Sequence, residues 1–228
     1  MKILLLGIFY IFSFQFLKAQ DAATLVGKLK EKLQQVHDYE ATGVLKTDVA
    51  FIKAPAGKVI VYYKSPDKIS LKRQSGISIL PKGGMNVNMA SLMSFDYLAI
   101  DAGEAVVNGV HTRIIKLLPN DESSELVLST LYIDPVKILL LKSITTTKSN
   151  GTYEMLMTYG KYEQYGLPDK VIFSFNTKDY KIPKGFTLEF NDADKAELEK
   201  MKNKKGKVEI TYSSYSINKG IPDTIFNK

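Results

Sequence analysis

Short runs in which apolar and polar residues alternate fill much of the chain. Between Tyr153 and Tyr159, aromatic and Met side chains fall on one face, and Glu154, Leu156 and Thr158 fall on the other. The segment Val171–Phe175 alternates in the same way. A period of two that is rich in β-branched and aromatic residues predicts β-strands.

Turn-forming residues separate these runs within the stretch Leu126–Phe175. The breaks fall at Asp134-Pro135, at Ser149-Asn150-Gly151 and at Gly166-Leu167-Pro168-Asp169. Gly and Asn tolerate positive φ, and Pro cannot continue a central ladder. Because the connections are short and no helix-length crossover intervenes, the stretch predicts an antiparallel meander rather than βαβ units.

Further strands are predicted on both sides of this meander. Two of them are separated by Asn108-Gly109, and this dipeptide favours the type I′ turn of a tight hairpin. The strands predicted outside the meander are Tyr39–Phe51, Lys58–Lys64, Ile69–Arg73, Tyr97–Val107, Thr112–Leu118 and Val208–Ser216.

The first residues have the pattern of a secretory signal peptide. Lys2 supplies a positive start, Ile3–Leu17 is almost wholly apolar, and Ala19-Gln20 offers a small residue near a cut. The alternative is a membrane anchor, but the apolar run of about 15 residues is shorter than the roughly 20 that a spanning helix needs. We therefore predict a signal peptide over residues 1–20 and a single exported domain over residues 21–228.

One amphipathic helix is predicted directly after this leader. Asp21 can cap it, because its carboxylate accepts the free N–H groups of the first turn, and the helix should end near His37. Its apolar residues form a single stripe that predicts a packing face against the sheet. These residues are Leu25, Leu29, Leu33 and Val36.

Two other segments have helical features. The segment Met85–Phe95 holds three of the seven Met residues at helical spacing and predicts a short helix or a mobile flap, with ordinary core filling as the alternative. Asn191-Asp192 can cap a short helix that ends near Lys202.

Composition excludes several classes of chemistry. The 228 residues, of which 45% are hydrophobic, suffice for one domain with a core. Because the chain has no Cys, disulfides, thiolate catalysis and Cys-ligated metal sites are excluded. The net charge is +7, and the leader contributes Lys2 and Lys18 without an acid, which leaves +7 − 2 = +5 for the exported chain.

Motifs of catalysis are missing from the sequence. The only two His residues, His37 and His111, lie in no recognisable catalytic motif, and a surface or helix-end role is predicted for each. No phosphate-binding Gly loop or EF-hand loop is present. We therefore expect no enzyme activity, no metal and no cofactor, although a pair of carboxylates for glycoside hydrolysis stays open, because strands can bring any two acids together.

The segment Lys200–Lys207 is the only basic run. A nucleic-acid site would need interleaved aromatic residues or Arg, which this run lacks. We therefore expect no nucleic-acid partner. A solvated surface is predicted for this run, with contact to an anionic membrane or an acidic partner as the alternative.

Several of these segments resemble the LolA family of periplasmic lipoprotein carriers. The run Gly57–Ile69, GKVIVYYKSPDKI, resembles the family's early strand–turn–strand. The segment Leu131–Asp134, followed by Ile138–Ile144 and then Gly151, resembles its central pair of strands, and Tyr159–Phe175 resembles the next hairpin. The resemblance extends over most of residues 24–226 and includes the half-barrels of the LolB and RseB type.

The resemblance implies a fold and an activity. The fold is α+β, a mostly antiparallel curved sheet that forms an incomplete β-barrel of about eleven strands, with one N-terminal helix and short helices over its concave face. The implied activity is carriage of acylated lipoproteins or other lipids through the periplasm towards the outer membrane. The implied partners are inner- and outer-membrane transfer proteins, with transient membrane contact by a monomer.

An apolar groove is the expected binding site. It would be lined by one face of the strands and capped by the helix and the Met-rich segment, although a one-residue slip exchanges the two faces of a strand and the pattern leaves open which one points inward. The predicted ligand-binding residues are Leu29, Leu33, Val59, Val61, Tyr63, Ile69, Leu71, Met89, Leu92, Met155, Met157, Phe173 and Phe175.

One position departs from the pattern of the family. The lipoprotein carriers have a lid-holding Arg directly before the Pro that is Pro66 here, and this chain has Ser65 at that position. A hydroxyl cannot replace a guanidinium fork. A binding or sensing module of the cell envelope, which recognises a protein partner or a different lipid, therefore stays open as the alternative.

Overall fold

The computed structural model describes residues 22–48, 55–73, 95–149, 151–176 and 205–226. The predicted leader, residues 85–94 of the Met-rich segment and the predicted helix at residues 191–202 lie outside these ranges. Within them, no helix is both long enough and apolar enough to cross a membrane.

One helix and ten strands make up the described part of the chain. Helix α1 occupies residues 22–34. Short 3₁₀ helices occupy Glu163–Tyr165 and Asp223–Ile225. The strands are β1 Asp38–Asp48, β2 Gly57–Lys64, β3 Lys68–Arg73, β4 Tyr97–Val107, β5 Val110–Pro119, β6 Leu126–Asp134, β7 Leu139–Thr147, β8 Gly151–Thr158, β9 Lys170–Asn176 and β10 Lys205–Ile217.

All ten strands form one antiparallel sheet that curves and stays open. Its order is β3-β2-β1-β10-β9-β8-β7-β6-β5-β4, so β3 and β4 are the edges within the described ranges. Strands β4–β9 follow one another as a meander, as the short turns predict. The last strand, β10, then pairs with β1 and joins both parts of the chain into one incomplete barrel.

The turn chemistry expected from the sequence is present. Asn108 and Gly109 have φ values of 50° and 81°, and both positive values fit the type I′ turn between β4 and β5. Gly166 has a φ of 66° in the connection between β8 and β9. These residues fix hairpin register because few other side chains tolerate this backbone region.

Helix α1 packs on one face of the sheet through the predicted stripe. Leu29 and Val26 are 1% and 0% exposed, and Leu25, Leu33 and Val36 are buried as well. Burying a Leu or Val side chain contributes roughly 1.5–3 kcal/mol, so the stripe accounts for the placement of the helix. One buried cluster, which we name the helix cluster, joins Ala22, Leu25, Val26, Leu29 and Leu33 to β5–β8. Its buried sheet residues are Ile115, Leu117, Leu131, Ile133, Leu140, Met155 and Met157. Val36 follows the helix and packs in a separate cluster with Tyr63 and Leu167.

We refer to the side of the sheet that bears α1 as the inner face. Strand β10 changes its alternation on this face at a β-bulge, because Thr42 pairs with Ser214 and Gly43 pairs with Tyr212, which leaves Ser213 unpaired. A Cβ atom on Gly43 would lie 2.5 Å from the carbonyl oxygen of Thr211, so the close approach of β1 and β10 requires glycine.

The bulge brings two aromatic rings to the same face. Tyr212 packs against the buried cluster that contains Val208 and Ile210, and Tyr215 packs against the one that contains Val36 and Tyr63. Only two residues separate the two tyrosines in the chain. Their ring centroids are 5.0 Å apart. Regular alternation would have placed Tyr215 on the outer face.

A polar clip joins the end of α1 to the end of β10. The side-chain oxygen of Asn218 accepts hydrogen bonds from the backbone N–H groups of His37 and Asp38, at 2.8 and 3.3 Å. Its side-chain amide donates to the carbonyl of Gln35 at 2.9 Å. Asp38 completes the clip, because its carboxylate accepts from the N–H groups of Lys219 and Gly220, each at 3.0 Å. These bonds set the position at which the chain leaves the helix and enters β1.

Three hydroxyl residues are fully buried on the inner face of β6 and β7. The hydroxyls of Ser129 and Thr145 bond each other at 3.0 Å. Ser143 is 0% exposed, and its hydroxyl has no hydrogen-bond partner within the described residues. It pairs in register with Leu131 and Met155 of the helix cluster, so its surroundings are apolar.

We predict that Asn218→Ala lowers the free energy of unfolding by about 1–2 kcal/mol, because three hydrogen bonds are lost and Ala tolerates the positive φ of this position less well than Asn. Urea denaturation followed by circular dichroism measures the change. The matched variant Asn218→Asp keeps the oxygen that accepts from two amides and should lose less. Equal stability of Asn218→Ala and wild type would contradict the role of the clip.

We also predict opposite effects for two serine substitutions in the core. Ser143→Ala should raise the free energy of unfolding by about 1 kcal/mol, because a buried hydroxyl without a partner carries a desolvation cost. Ser129→Ala should lower it by a similar amount, because it breaks a bond that is made. Thermal and urea unfolding of the pair would test this, and a loss of stability for both would contradict the assignment of Ser143.

Candidate functional site

The inner face is the surface on which most of the predicted ligand-binding residues meet. The pairs Val61 with Leu71, Tyr63 with Ile69, and Met155 with Phe173 lie opposite each other in register. The sequence left open which strand face points inward, and the structure places the predicted strand residues on the face that bears α1. These residues are Val59, Val61, Tyr63, Ile69, Leu71, Met155, Met157, Phe173 and Phe175. That they bind a ligand remains a prediction.

The predicted residues divide into two regions. Leu29, Leu33, Met155 and Met157 belong to the helix cluster, and Met157 is only 1% exposed. These side chains fill the space between α1 and the sheet, so they would reach a ligand only after the helix moves. A charged residue at Met157 would therefore disrupt the fold itself, and this position is a poor probe of binding.

A second apolar region lies on the strands towards the β3 edge. We name it the edge cluster, and it contains Leu45, Val59, Tyr153, Phe175, Val208 and Ile210, with Leu71, Phe173 and Tyr212 packed against it. No α1 residue is a member of this cluster, within the part of the chain that the structure describes.

Aromatic rings give the edge cluster its shape. The ring of Phe173 lies 5.3 Å from that of Tyr153 and 5.5 Å from that of Phe175, between centroids. Gly206 provides the room for Phe175, because a Cβ atom there would lie 2.6 Å from the phenyl ring. The cluster is thus a continuous group of aromatic and aliphatic side chains on β8, β9 and β10. Its buried members are each 9% exposed or less, so an apolar ligand would reach them only if what buries them moves.

A cluster of tyrosines closes one end of the inner face. Tyr39 lies 5.2 Å from Tyr63 and 5.4 Å from Tyr215, and Tyr162 lies 5.0 Å from Tyr215, measured between ring centroids. The loop between β8 and β9 contributes Tyr162, and Val36 contributes from the residues that follow α1. We name this group the tyrosine cluster, and its members are Val36, Tyr39, Tyr63, Tyr162, Tyr165, Leu167, Tyr215 and Ile217.

Burial changes the acidity of several phenols at this end. It raises the pKa of Tyr39, Tyr212 and Tyr215 well above the usual value of a phenol. Burial also raises the pKa of Tyr153 to about 12, against a smaller opposing effect of a hydrogen bond with Thr145. All four phenols therefore stay protonated at neutral pH and act as hydrogen-bond donors.

Only some of these donors have an acceptor. The hydroxyl of Tyr215 donates to the carbonyl of Pro168 at 2.7 Å, and that of Tyr159 donates to the carbonyl of Leu140 at 2.8 Å. Within the described ranges, the hydroxyls of Tyr39 and Tyr212 have no hydrogen-bond partner.

Groups of catalytic or metal-binding character do not gather on the described inner face. His37 and His111 are both exposed, as the sequence predicts. No group of three or more His, Asp and Glu side chains that could hold a metal ion occurs in the described ranges. Met89 and Leu92, the remaining predicted site residues, lie outside these ranges.

The outer face carries an exposed apolar patch near the β4 edge. Leu98 of β4 and Leu118 of β5 lie opposite each other and are 57% and 37% exposed. Ile100 extends the patch along β4 and is 38% exposed. Most exposed apolar residues occur singly, so a cross-strand pair with a neighbour marks a surface that can bind another molecule.

The predicted site residues do not include Tyr212, Tyr215, Val208 and Ile210, which the structure places in the inner-face clusters. The missed signal is the combination of two Tyr residues three positions apart with a glycine, Gly43, in the facing strand. Glycine inside a strand pattern often indicates a bulge or a close backbone approach, and here it indicates both.

Comparison with solved structures identifies the type of fold. No protein-family model matches the chain, and no curated protein matches it significantly. A solved structure of an outer membrane lipoprotein-sorting protein domain from Vibrio parahaemolyticus superposes with a TM-score of 0.58 at 10% identity, over 92% of this chain and 97% of that one.

Two further solved structures are similar. A DUF1329 family protein from Desulfovibrio piger superposes with a TM-score of 0.55 at 11% identity, over 92% of this chain and 97% of that one. A LolA superfamily protein from Nitrosomonas europaea gives a TM-score of 0.54 at 12% identity, over 89% and 97%. The protein therefore has a LolA-like fold, an open antiparallel half-barrel with its first helix on the inner face.

Proposed function

We propose that this protein is a soluble periplasmic carrier that binds the acyl chains of lipoproteins or other lipids on the inner face of its half-barrel and moves them towards the outer membrane. The observation that carries the proposal is the edge cluster, a continuous group of apolar side chains on the inner face that includes no residue of α1 in the described chain. Its six central members are each 9% exposed or less, so a ligand would reach them only when what buries them moves. The apolar leader of residues 1–20 supports export, and the LolA-like fold supports the choice of ligand class.

The physical requirement of such a carrier is shielding of hydrocarbon from water. Each buried CH₂ group contributes roughly 0.8 kcal/mol, so a long acyl chain gains enough free energy from an apolar surface to leave a membrane for a protein. Aromatic and aliphatic side chains of the edge cluster provide that surface. Handover then requires that the cover over the ligand can open.

Helix α1 covers the helix cluster beside the edge cluster, and Phe173 packs against both, so movement of α1 would extend the apolar site into the neighbouring part of the inner face. It contacts the sheet through one apolar stripe and, at its second half, through a hydrogen bond from the Lys32 ammonium to the carbonyl of Lys137 at 2.8 Å. The end of the helix is connected to the β2–β3 turn through the N–H of Ser65, which donates to the carbonyl of His37 at 2.8 Å.

The hydrogen bond from the Ser65 N–H to the His37 carbonyl changes which contacts would hold the cover closed. It is made by the backbone, so it does not depend on the side chain that the lipoprotein carriers have at this position. Opening would then be opposed by apolar packing and by the Asn218 clip rather than by a guanidinium fork. We propose that transfer proteins of the inner and outer membranes, or transient contact with the membrane itself, supply the ligand to a monomeric carrier.

A second candidate function is a binding or sensing module of the cell envelope with a protein partner. The outer-face patch of Leu98, Ile100 and Leu118 favours it, because this patch lies on the edge strand β4 and its neighbour. A protein partner could cover the patch without any use of the edge cluster. The two candidates thus use opposite faces of the sheet, and substitutions on each face distinguish them.

Native mass spectrometry provides the first test. We expect the chain from Asp21, purified without detergent from the periplasm of a two-membrane bacterium, to carry an adduct that releases an acyl-bearing species on denaturation. An apo mass, together with no uptake of a fluorescent fatty acid, would argue against the carrier and favour the protein-binding module.

A matched pair on β3 tests the face of the sheet that binds. Leu71 points to the edge cluster and Ser70 points to the outer face, and both are half-buried neighbours on an edge strand. Leu71→Asp should weaken binding of a fluorescent fatty acid by at least about tenfold, because a carboxylate in an apolar site is poorly solvated. Ser70→Asp should bind as wild type does.

Circular dichroism and thermal melting of both variants provide the control for folding. Unchanged binding by a folded Leu71→Asp variant would exclude the edge cluster as the ligand site. Loss of binding in Ser70→Asp but not in Leu71→Asp would place the ligand on the outer face.

A further inference from the structure

One buried side chain on the inner face has a polar group without a partner. Ser143 of β7 is 0% exposed, and within the described residues its hydroxyl oxygen is the only buried side-chain oxygen or nitrogen that lacks a hydrogen bond. Most buried polar atoms in proteins are hydrogen-bonded, so an exception calls for a physical reason. The hydroxyl lowers the stability of the fold, because it has left water without a replacement bond.

The neighbouring hydroxyls of the inner face are satisfied. One register row away from Ser143, the hydroxyls of Ser129 and Thr145 bond each other at 3.0 Å. Thr145 also forms a hydrogen bond with the hydroxyl of Tyr153, which lies opposite it on β8. This part of the sheet therefore provides partners for the hydroxyls on one row and not on the next, and an acceptor that arrives with a ligand accounts for the difference.

Ser143 lies in the part of the inner face that carries α1. It pairs in register with Leu131 and Met155, and both of these residues pack in the helix cluster together with residues of α1. Leu has no acceptor, and the thioether of Met is a weak one. Movement of α1 away from the sheet would uncover this region, and an apolar ligand in place of the helix would keep the face shielded from water.

The row of Ser143 leads towards the edge cluster. Met155 lies opposite Phe173, which is half-buried and packs against both the helix cluster and the edge cluster. Adjacent strands are about 4.8 Å apart, so Phe173 lies about 10 Å from Ser143 across the sheet. A hydrocarbon chain attached to a group at Ser143 can therefore reach the junction of the two clusters.

The distribution of charge indicates that the group bound at Ser143 is uncharged. Of the buried residues in the described ranges, only Asp134 carries a charge, and its carboxylate accepts from the N–H groups of Val136 and Lys137 at 2.8 and 3.1 Å. No Lys or Arg is buried in these ranges. An ionised ligand group would lose its hydration here without a counter-charge, whereas a carbonyl oxygen needs only a donor.

We propose that the hydroxyl of Ser143 donates a hydrogen bond to the carbonyl oxygen of an acyl ester or amide when the ligand displaces α1 from the sheet. This proposal rests on the lipid-binding function proposed above and adds the position and polarity of one ligand group. The hydroxyl has no partner while α1 covers the sheet and gains one when the ligand is bound. It therefore favours the bound state over the closed state by its hydrogen bond.

A pair of matched fluorescent probes tests this assignment. One probe is the methyl ester of a pyrene-labelled fatty acid, and the other is a pyrene-labelled alkane of the same length without a carbonyl. Ser143→Ala removes only the hydroxyl. Because this variant also stabilises the closed form, it should weaken both probes by a common factor and the ester by about a further fivefold, as expected for the loss of one hydrogen bond.

Ser129→Ala is the matched control. It removes a hydroxyl that already bonds Thr145, so it should lower stability and leave the ratio of ester to alkane affinity unchanged. Infrared spectroscopy of an ester labelled with ¹³C at the carbonyl gives a direct readout. The band of the bound carbonyl should lie at lower wavenumber in wild type than in Ser143→Ala.

Hydrogen exchange followed by mass spectrometry tests the place of the site. Binding of the ester should speed exchange of the backbone amides of residues 22–34, because the ligand takes the place of the helix on the sheet. Unchanged or slower exchange in this segment would place the ligand elsewhere and overturn the proposal.

The outcomes separate this proposal from the function on which it rests. An unchanged ratio of ester to alkane affinity in Ser143→Ala would overturn the carbonyl assignment and leave lipid binding intact. Tighter binding of the free fatty acid than of its methyl ester to wild type, lost in Ser143→Ala, would replace the carbonyl with a carboxylate and overturn the proposal as stated. Failure of wild type to bind either probe would instead overturn the proposed function.

Discussion

The packing of the apolar stripe of α1 on strands β5–β8 is the interaction on which the rest of the structure depends. An open antiparallel sheet with apolar residues on its inner face is unstable in water unless something covers that face. The helix covers one half through Leu29, Val26 and the buried residues of the helix cluster. The edge cluster contains no α1 side chain in the described part of the chain, although its central residues are buried as well, so the inner face holds two separate apolar regions.

The two halves of the inner face have different physical character because of where the chain places polar groups. Under the helix, the hydroxyls of Ser129 and Thr145 bond each other, Ser143 adds a third buried hydroxyl, and the buried hydrophobic residues are aliphatic or Met. Towards the β3 edge the surface is aromatic and ends in phenols. One bulge at Ser213, permitted by Gly43, produces this ending, since it brings both Tyr212 and Tyr215 to the inner face.

Much of the architecture could be predicted from the sequence because it follows from local rules. Alternation identified the strands, Asn108-Gly109 identified a hairpin, and the spacing of Leu25, Leu29 and Leu33 identified the buried stripe of α1. These signals depend on side-chain direction and backbone sterics within a few residues. The pairing of β1 with β10 joins residues more than 150 positions apart, such as Tyr39 and Ile217, and no local pattern specifies it.

The sequence by itself determined helix α1, the strands of the described ranges, the antiparallel meander and the set of apolar strand residues, including Val59, Met155 and Phe173. Only the tertiary structure decided which face points inward, because the two faces of a strand differ by a single residue of register. It also decided that Met157 lies under the helix whereas Leu71 lies in the edge cluster, and that Tyr39, Tyr212 and Tyr215 meet at one end. Such groupings arise from the pairing of distant strands, above all β1 with β10, which brings together residues that lie far apart in the sequence.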